Sequence, residues 1–439
     1  MESSNRRIRT PEEVVARYLT VRAATEHLAS RLSPEDQMLQ SMPLCSPVKW
    51  HRAHTTWFFE TFVLEPLGVR AVFPHYRHLF NSYYDAIGPR HARPKRGMLS
   101  RPSFEEVGEY RHIVDRSMQD QLLTLGKQEL QELVPLIDLG LAHEEQHQEL
   151  LLTDILHAFH ENPTLPAYRG GPSTPSVRIP AAQKRSRAFK AFDGGLVEIG
   201  ASGHDGFVFD NETPRHKVWL APFQIATALV TNREMKAFMA AGGYRTPSLW
   251  LAEGFDFVQG HGIEAPLYWR RDGDGWVAFG LDGLREIADD EPLSHVSFYE
   301  ADAIARFLGA RLASEHEWEV VAATLDRSGN FRDTDALRPL SPPQDGDEVA
   351  QMFGDVWEWT RSSYEPYPGY RPAEGAIGEY NGKFMVNQRV LRGGSCLTPR
   401  GHVRASYRNY WHPETRFQMT GVRLAVDAQG ARAEGESSS

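Results

Sequence analysis

The run LGLAHEEQHQELLLTDILHAF (139–159) sets His143 and His147 four residues apart, and its reading decides what the first part of this chain is built for. On a helix of about 3.6 residues per turn, positions four apart point from one face, so two imidazoles there can close on one metal ion. Neutral imidazole is the commonest side-chain ligand for first-row transition metals. HEEQH also satisfies the zinc-peptidase pattern, in which Glu144 would be the general base. That pattern needs a third ligand downstream, and the segment past residue 160 is Pro-rich instead. Taken alone, the pair also fits a polar helix face that binds nothing.

A second stretch, SPVKWHRAHTTWFFETFVL (46–64), changes the balance. It puts His51 and His54 in an apolar, aromatic run, where a neutral imidazole costs desolvation unless it finds a partner. One of them can supply a third ligand from a neighbouring helix. Three histidines, with no cysteine and no clear carboxylate, leave up to three open positions on an octahedral ion. Open positions suit an oxygen-activating iron site. Zinc held by three histidines and one water is equally compatible with this set.

The totals bound the rest. A chain of 439 residues is too long for one ordinary core, which predicts two or three domains. Hydrophobic content of 41% and charged content of 24% are those of a soluble globular protein. A net charge of −10 with no long Lys/Arg block argues against a nucleic-acid partner. Two distant cysteines, Cys45 and Cys396, exclude a disulfide scaffold and a Cys-rich zinc site. No apolar stretch is long enough to cross a bilayer, and MESSNRRIRT lacks the apolar core of a signal peptide. The expectation is a cytoplasmic protein with no membrane partner.

Periodicity predicts helices within 11–36, over 46–64, over about 104–128, and from near Pro135 through the His pair. Four long helices with one long connection (65–103) predict a four-helix bundle over 1–160. Residues 161–187 read as a Pro/Gly/basic linker. Past it, GGLVEIGAS, HKVWLAPFQIA and VLRGGS predict short strands, while TNREMKAFMAAGG and SFYEADAIARFLGAR predict helices. Residues 188–427 are therefore expected to be α+β with low regular content. The tail 428–439 is expected to be disordered.

Several long phrases resemble one known family. SPVKWHRAHTTWFFE, FNSYYDAIGPRHARPKRGMLSRP (80–102) and LAHEEQHQELLLTDI are similar to the DinB-type helical domain of EgtB, the ergothioneine-biosynthesis sulfoxide synthase. VEIGASGHDGFVFDNETPRHKVWL, PLSHVSFYEADAIARFLGARLASEHEWEVVA, MFGDVWEWT, VLRGGSCLTPRGHVRASYRN and TGVRLA are similar to the C-type-lectin-like, formylglycine-generating-enzyme-like (sulfatase-modifying-factor) domain that follows it. The resemblance covers about residues 11–427.

It implies ferrous iron held by His54, His143 and His147, with His51 a neighbour and not a ligand. It implies O2 as co-substrate, and joining of cysteine or γ-glutamylcysteine to C2 of the hercynine imidazole with oxidation of the sulfur. Tyr83 and Tyr84 become candidate proton or hydrogen donors, because one subgroup carries active-site tyrosines at this pair, and that subgroup favours free cysteine. Gln146, Asn409 and Tyr410 become candidates for holding the trimethylammonium zwitterion, with Trp411 lining the thiol side. Arg90, Arg93 and Arg96 form a basic loop that could pair with a substrate carboxylate. Formylglycine synthesis is not implied, since that chemistry uses a cysteine pair and only Cys396 lies in this half. Trp357, Glu358 and Trp359 read as fold-defining core, and Asp355 stands where the familiar motif has Asn. Competing readings are a zinc-dependent DinB-type thiol transferase, a selenoneine-synthase-like enzyme forming a C–Se bond, and a non-enzymatic binding module.

Overall fold

The computed structural model describes residues 9–169, 188–202, 206–342 and 348–428. Beyond Arg169 and Ala428, the linker and tail expected from sequence lie outside these residues. The chain begins as helices: α1 (Pro11–Ala29), α2 (Val48–Phe59), a short α3 (Tyr76–Phe80), α4 (Phe104–Thr124) and α5 (Lys127–Glu161). Thr10 and Ser103 cap α1 and α4, each exchanging hydrogen bonds with a Glu three residues on. After Phe59, α2 runs into one π turn (Glu60–Leu64), where the Glu65 N–H donates to the Glu60 carbonyl at 2.9 Å.

Helix α5 starts a full two turns before the expected Pro135. Gly126 N–H bonds the Glu129 carboxylate at 2.9 Å and sets the start, and Pro135 sits inside the helix. Its missing N–H forfeits one backbone bond, which the length of the helix and its buried face outweigh. Gly140 lets α2 and α5 approach closely. A Cβ there would stand 2.7 Å from Phe59 Cε1 and 2.8 Å from Phe58 Cε1.

The strands follow in chain order: β1 (Phe189–Phe192), β2 (Gly195–Ile199), β3 (His216–Leu220), β4 (Phe223–Ala226), β5 (Trp269–Asp272), β6 (Gly275–Gly280) and β7 (Gly283–Glu286). After them come β8 (Arg311–Leu312), β9 (Trp357–Ser363), β10 (Arg389–Arg392), β11 (Asn409–Trp411), β12 (Thr420–Gly421) and β13 (Leu424–Asp427). They assemble as β1-β4-β13-β8, β11-β10-β9-β12, the pair β2-β3, and the meander β5-β6-β7. Helices α6 (Asn232–Ala240), α7 (Ala252–Gly260), α8 (Phe298–Phe307) and α9 (Glu315–Ala322) pack among them. Sequence periodicity anticipated α6 and α8 but not α7, α9 or the meander. The core of this half is cross-linked by buried charges: Arg392 reaches Glu315 and Glu319, each at 2.9 Å, and Arg423 reaches Glu358 at 2.9 Å.

Asp355 has a structural reason. Its φ is +56°, a conformation that Asn and Asp tolerate better than most residues, and its carboxylate accepts from Asn330 Nδ2 (2.8 Å), the Leu340 N–H (2.9 Å) and Gln351 Nε2 (3.0 Å). Cys45 and Cys396 are both buried free thiols. Among the described residues, no helix is long and apolar enough to cross a membrane.

The two halves meet along one row of α5. Glu149 accepts Trp357 Nε1–H at 2.8 Å and Ser395 O–H at 2.6 Å on one oxygen, and Thr398 O–H at 2.7 Å on the other. Gln146 bonds Tyr407 at 2.7 Å, and Gln418 donates to Thr153 at 3.2 Å. Positions 146, 149 and 153 recur at helical spacing, so the face beside His143 and His147 is the one the second half covers.

Candidate metal centre and substrate cavity

Helix α2 presents His54 and α5 presents His143 and His147. One ring nitrogen from each lies within 4.8 Å of the others, and His54 Nε2 is 3.1 Å from His143 Nε2. Two nitrogens bound side by side at about 2.1 Å from one ion would themselves stand about 3 Å apart, which that edge matches. His54 is clamped between two indoles, with Trp50 at 4.5 Å and Trp57 at 5.7 Å between ring centroids, both within 16° of parallel. Its Nδ1–H donates to the Phe80 carbonyl at 2.6 Å, which turns the Nε2 lone pair inward.

Burial lowers the pKa of all three rings. It takes His143 down to about 3, and it carries His54 and His147 well below the ordinary value, with neighbouring imidazoles adding to the effect. The rings are therefore neutral and carry lone pairs, which is the state a metal needs. His143 Nδ1 is buried without a partner. Three converging neutral nitrogen donors are a set that can hold a divalent transition metal.

Glu144 takes no part in that set. Burial by itself would raise its carboxyl, but Arg111 (2.6 Å) and Arg22 (2.8 Å), with Thr25 donating at 2.6 Å, hold it near 2. It ties α5 to α1 and α4 from the side away from the cavity, so a general-base role for it has no geometry to stand on.

A cavity of about 730 Å³, walled by both halves, opens over His143 and His147, with His54 buried behind them. Of the residues expected from sequence, Tyr83, Gln146, Asn409, Tyr410, Trp411, Arg90 and Arg93 line it beside His143 and His147. Tyr84 does not reach the wall; it is fully buried behind Tyr83, with the two hydroxyls 3.5 Å apart. Burial pushes both phenols above their ordinary pKa, so both stay protonated. Trp357, expected as core, is buried and also lines the cavity.

The arginines divide. Arg90 is half exposed at the rim and pairs with Asp85 at 3.1 Å. Arg93 donates to the Leu44 carbonyl. Arg96 is buried, its guanidinium 3.3 Å over the Trp50 ring, and among the described residues its hydrogen bonds go to two hydroxyls, Ser46 at 2.9 Å and Ser82 at 3.1 Å, and to no carboxylate. A buried guanidinium with no carboxylate partner on a cavity wall is prepared for an anion that arrives with a ligand.

Tyr380 carried no signal in the sequence. It sits in a Gly-rich stretch without periodicity, yet its ring centroid is 5.6 Å from that of His143 and 6.0 Å from that of Tyr83. Its hydroxyl donates to Gln146 Oε1, while Gln146 Nε2 donates to Tyr407. His402 continues the chain, 3.1 Å from the Tyr407 hydroxyl and 2.8 Å from Glu145. Tyr410 bonds Asn381 at 3.1 Å, and Asn381 bonds Asp210 at 2.6 Å, which holds the aromatic wall in place.

A helical bundle carrying three convergent histidines, closed by an α+β domain that completes the cavity, defines a two-domain architecture with a candidate metal centre between them. Residues 177–346 and 341–428 match the sulfatase-modifying factor enzyme 1-like domain family. The chain is 32% identical over 423 residues to the hercynine oxygenase of Mycolicibacterium smegmatis, covering 88% of this chain and 92% of that protein. It is 32% identical over 443 residues to the hercynine oxygenase of Mycobacterium tuberculosis, covering 95% and 99%. The formylglycine-generating enzyme of Streptomyces coelicolor is 29% identical over 298 residues, covering 57% of this chain and 92% of that protein. This chain belongs to the hercynine oxygenase family.

Proposed function

We propose that this protein is an iron(II)- and O2-dependent sulfoxide synthase of ergothioneine biosynthesis, joining cysteine or γ-glutamylcysteine to C2 of hercynine. The observation that carries the reading is the convergence of His54, His143 and His147 beneath a cavity whose walls hold aromatic faces and an arginine, Arg96, that meets no carboxylate among the described residues. One S–H and one imidazole C–H are lost, the C–S bond forms, and the sulfur takes one oxygen atom. The second oxygen leaves as water, so the four electrons O2 accepts come from coupling and from sulfur oxidation. Iron, held by the three histidines, would supply the redox chemistry that lets O2 react with closed-shell partners.

The protein residues bind, orient and deliver protons. Tyr410, Trp411 and Tyr380 offer aromatic faces to a trimethylammonium group, which cannot donate a hydrogen bond and is attracted to π-faces. Gln146 and Asn409 add amide groups beside it. Arg96, with Arg93 at the wall, receives a carboxylate. Tyr83 and Tyr380 keep protonated hydroxyls in the cavity, where a proton given at the right moment favours coupling over simple oxidation of the thiol. Tyr84 acts through Tyr83.

The test is anaerobic loading with Fe(II), followed by hercynine, O2 and either thiol. Oxygen uptake with release of a hercynyl sulfoxide supports the reading, and comparison of kcat/KM for the two thiols assigns the donor. Thiol transfer supported by zinc, without oxygen uptake, would replace it with a transferase.

A further inference from the structure

We propose that His51 and Asp154 form a positioning dyad that dictates which nitrogen His147 turns to the metal, without either binding it. This rests on the three-histidine reading above. Asp154 Oδ2 accepts the Ser46 backbone N–H at 2.8 Å and lies 3.0 Å from His51 Nε2. A carboxylate oxygen accepts and does not donate, so His51 carries its proton on Nε2 and presents a lone pair at Nδ1. That Nδ1 is 2.7 Å from His147 Nδ1. Two lone pairs cannot face each other at such a distance, so His147 donates from Nδ1 and keeps Nε2 free as the ligand atom.

His51 and Asp154 are buried, at 2% and 5% exposure, and the bond between them is closed off from solvent, while His51 also reaches the cavity wall. Helical spacing delivers it together with the ligands. His51 lies one turn before His54 on α2, and Asp154 lies two turns after His147 on α5. The three ligands are thus backed differently: His54 by a carbonyl, His143 by no partner among the described residues, and His147 by a carboxylate acting through a second imidazole. A hydrogen bond to the far nitrogen fixes a ligand's tautomer and ring angle and raises its basicity. The same geometry explains why His51, in the middle of a ligand helix, is not itself a ligand, since both its nitrogens are already engaged.

The test uses the full chain, titrated anaerobically with Co(II) against a competing chelator, with the imidazoles around the ion counted by X-ray absorption. Wild type should show three imidazoles. His51→Leu should weaken cobalt binding about 10–100-fold, the range for lost partners of this kind. His51→Gln, whose amide can accept from His147 and donate to Asp154, should recover most of the affinity and still show three imidazoles. Four imidazoles in wild type, or undiminished affinity in His51→Leu, would overturn the dyad. Should His51→Leu not fold, a drop in imidazole count in His51→Gln would overturn it equally. A wild type that binds no cobalt or iron would overturn the three-histidine reading itself.

Discussion

At the scale of single residues, the site turns on where hydroxyl protons sit. Tyr83 and Tyr380 both face the cavity, but only Tyr380 has its ring against His143 and its hydroxyl committed to Gln146. Replacing Tyr by Phe removes a hydroxyl and little volume, so product partition reports on the proton more than on shape. Under the proposed reaction, Tyr380→Phe should raise thiol-derived sulfinic acid at the expense of coupled sulfoxide by about a hundredfold, the lower end of the general acid–base range. Tyr83→Phe should do so less, and Tyr84→Phe least, since its hydroxyl does not reach the wall. Chromatographic quantitation of both products per O2 consumed checks the order. A larger effect at Tyr84 than at Tyr380 would move the donor behind the wall and contradict it. The KM for hercynine should also rise in Tyr380→Phe, because Gln146 loses the group that orients its carbonyl.

At the scale of elements, the metal site depends on how closely α2 and α5 approach. Gly140 sits one turn before His143, and its missing side chain is what admits the Phe58 and Phe59 rings. Gly140→Ala gains helix propensity but forces two packed rings to move, and overpacking of this kind costs about 1–3 kcal/mol. The expected outcome is a lower melting temperature together with weaker metal binding, because the displaced helix carries His54. Thermal unfolding with and without Fe(II) measures both, and a variant that melts higher than wild type would show that the rings yield freely. Both ligand helices were legible in the sequence, because a buried stripe on a long helix repeats with its own period and imidazoles interrupt it visibly. The early start of α5 was not, since Pro135 reads locally as a beginning and only tertiary burial carries a helix across it. The meander β5-β6-β7 and helix α7 escaped for a related reason: the outer strands β5 and β7 are short and mostly exposed, and α7 spans nine residues, so none repeats an apolar pattern for long enough to register. His54, His143, His147 and Gln146 were legible from spacing and resemblance, whereas Tyr380 reaches the site only through a contact more than two hundred residues long.

At the scale of the whole molecule, the cavity lies where two halves meet, and one buried carboxylate on α5 takes three of the hydrogen bonds between them. Glu149 accepts three hydrogen bonds from the second half, from Trp357, Ser395 and Thr398, and on its removal the two hydroxyls, 3.4 Å apart, have at best each other. It stands two residues past His147, so the bond that docks the halves also fixes the height of the ligand helix beneath the aromatic wall. Glu149→Ala strips three buried donors of this acceptor, at about 1–3 kcal/mol for each group left unsatisfied where water cannot reach. Such a loss falls on the interface and not on either core. The variant should therefore keep its helical content, while amide exchange quickens along α5 near Glu149 and around Ser395–Thr398. Metal affinity should fall less than affinity for hercynine, because the histidines come from the bundle and the aromatic wall comes from the partner half. Hydrogen-exchange mass spectrometry, paired with metal and substrate titrations, separates these effects. Equal losses of metal and substrate binding would mean that the bundle cannot hold its histidines without the second half, making the two domains one cooperative unit.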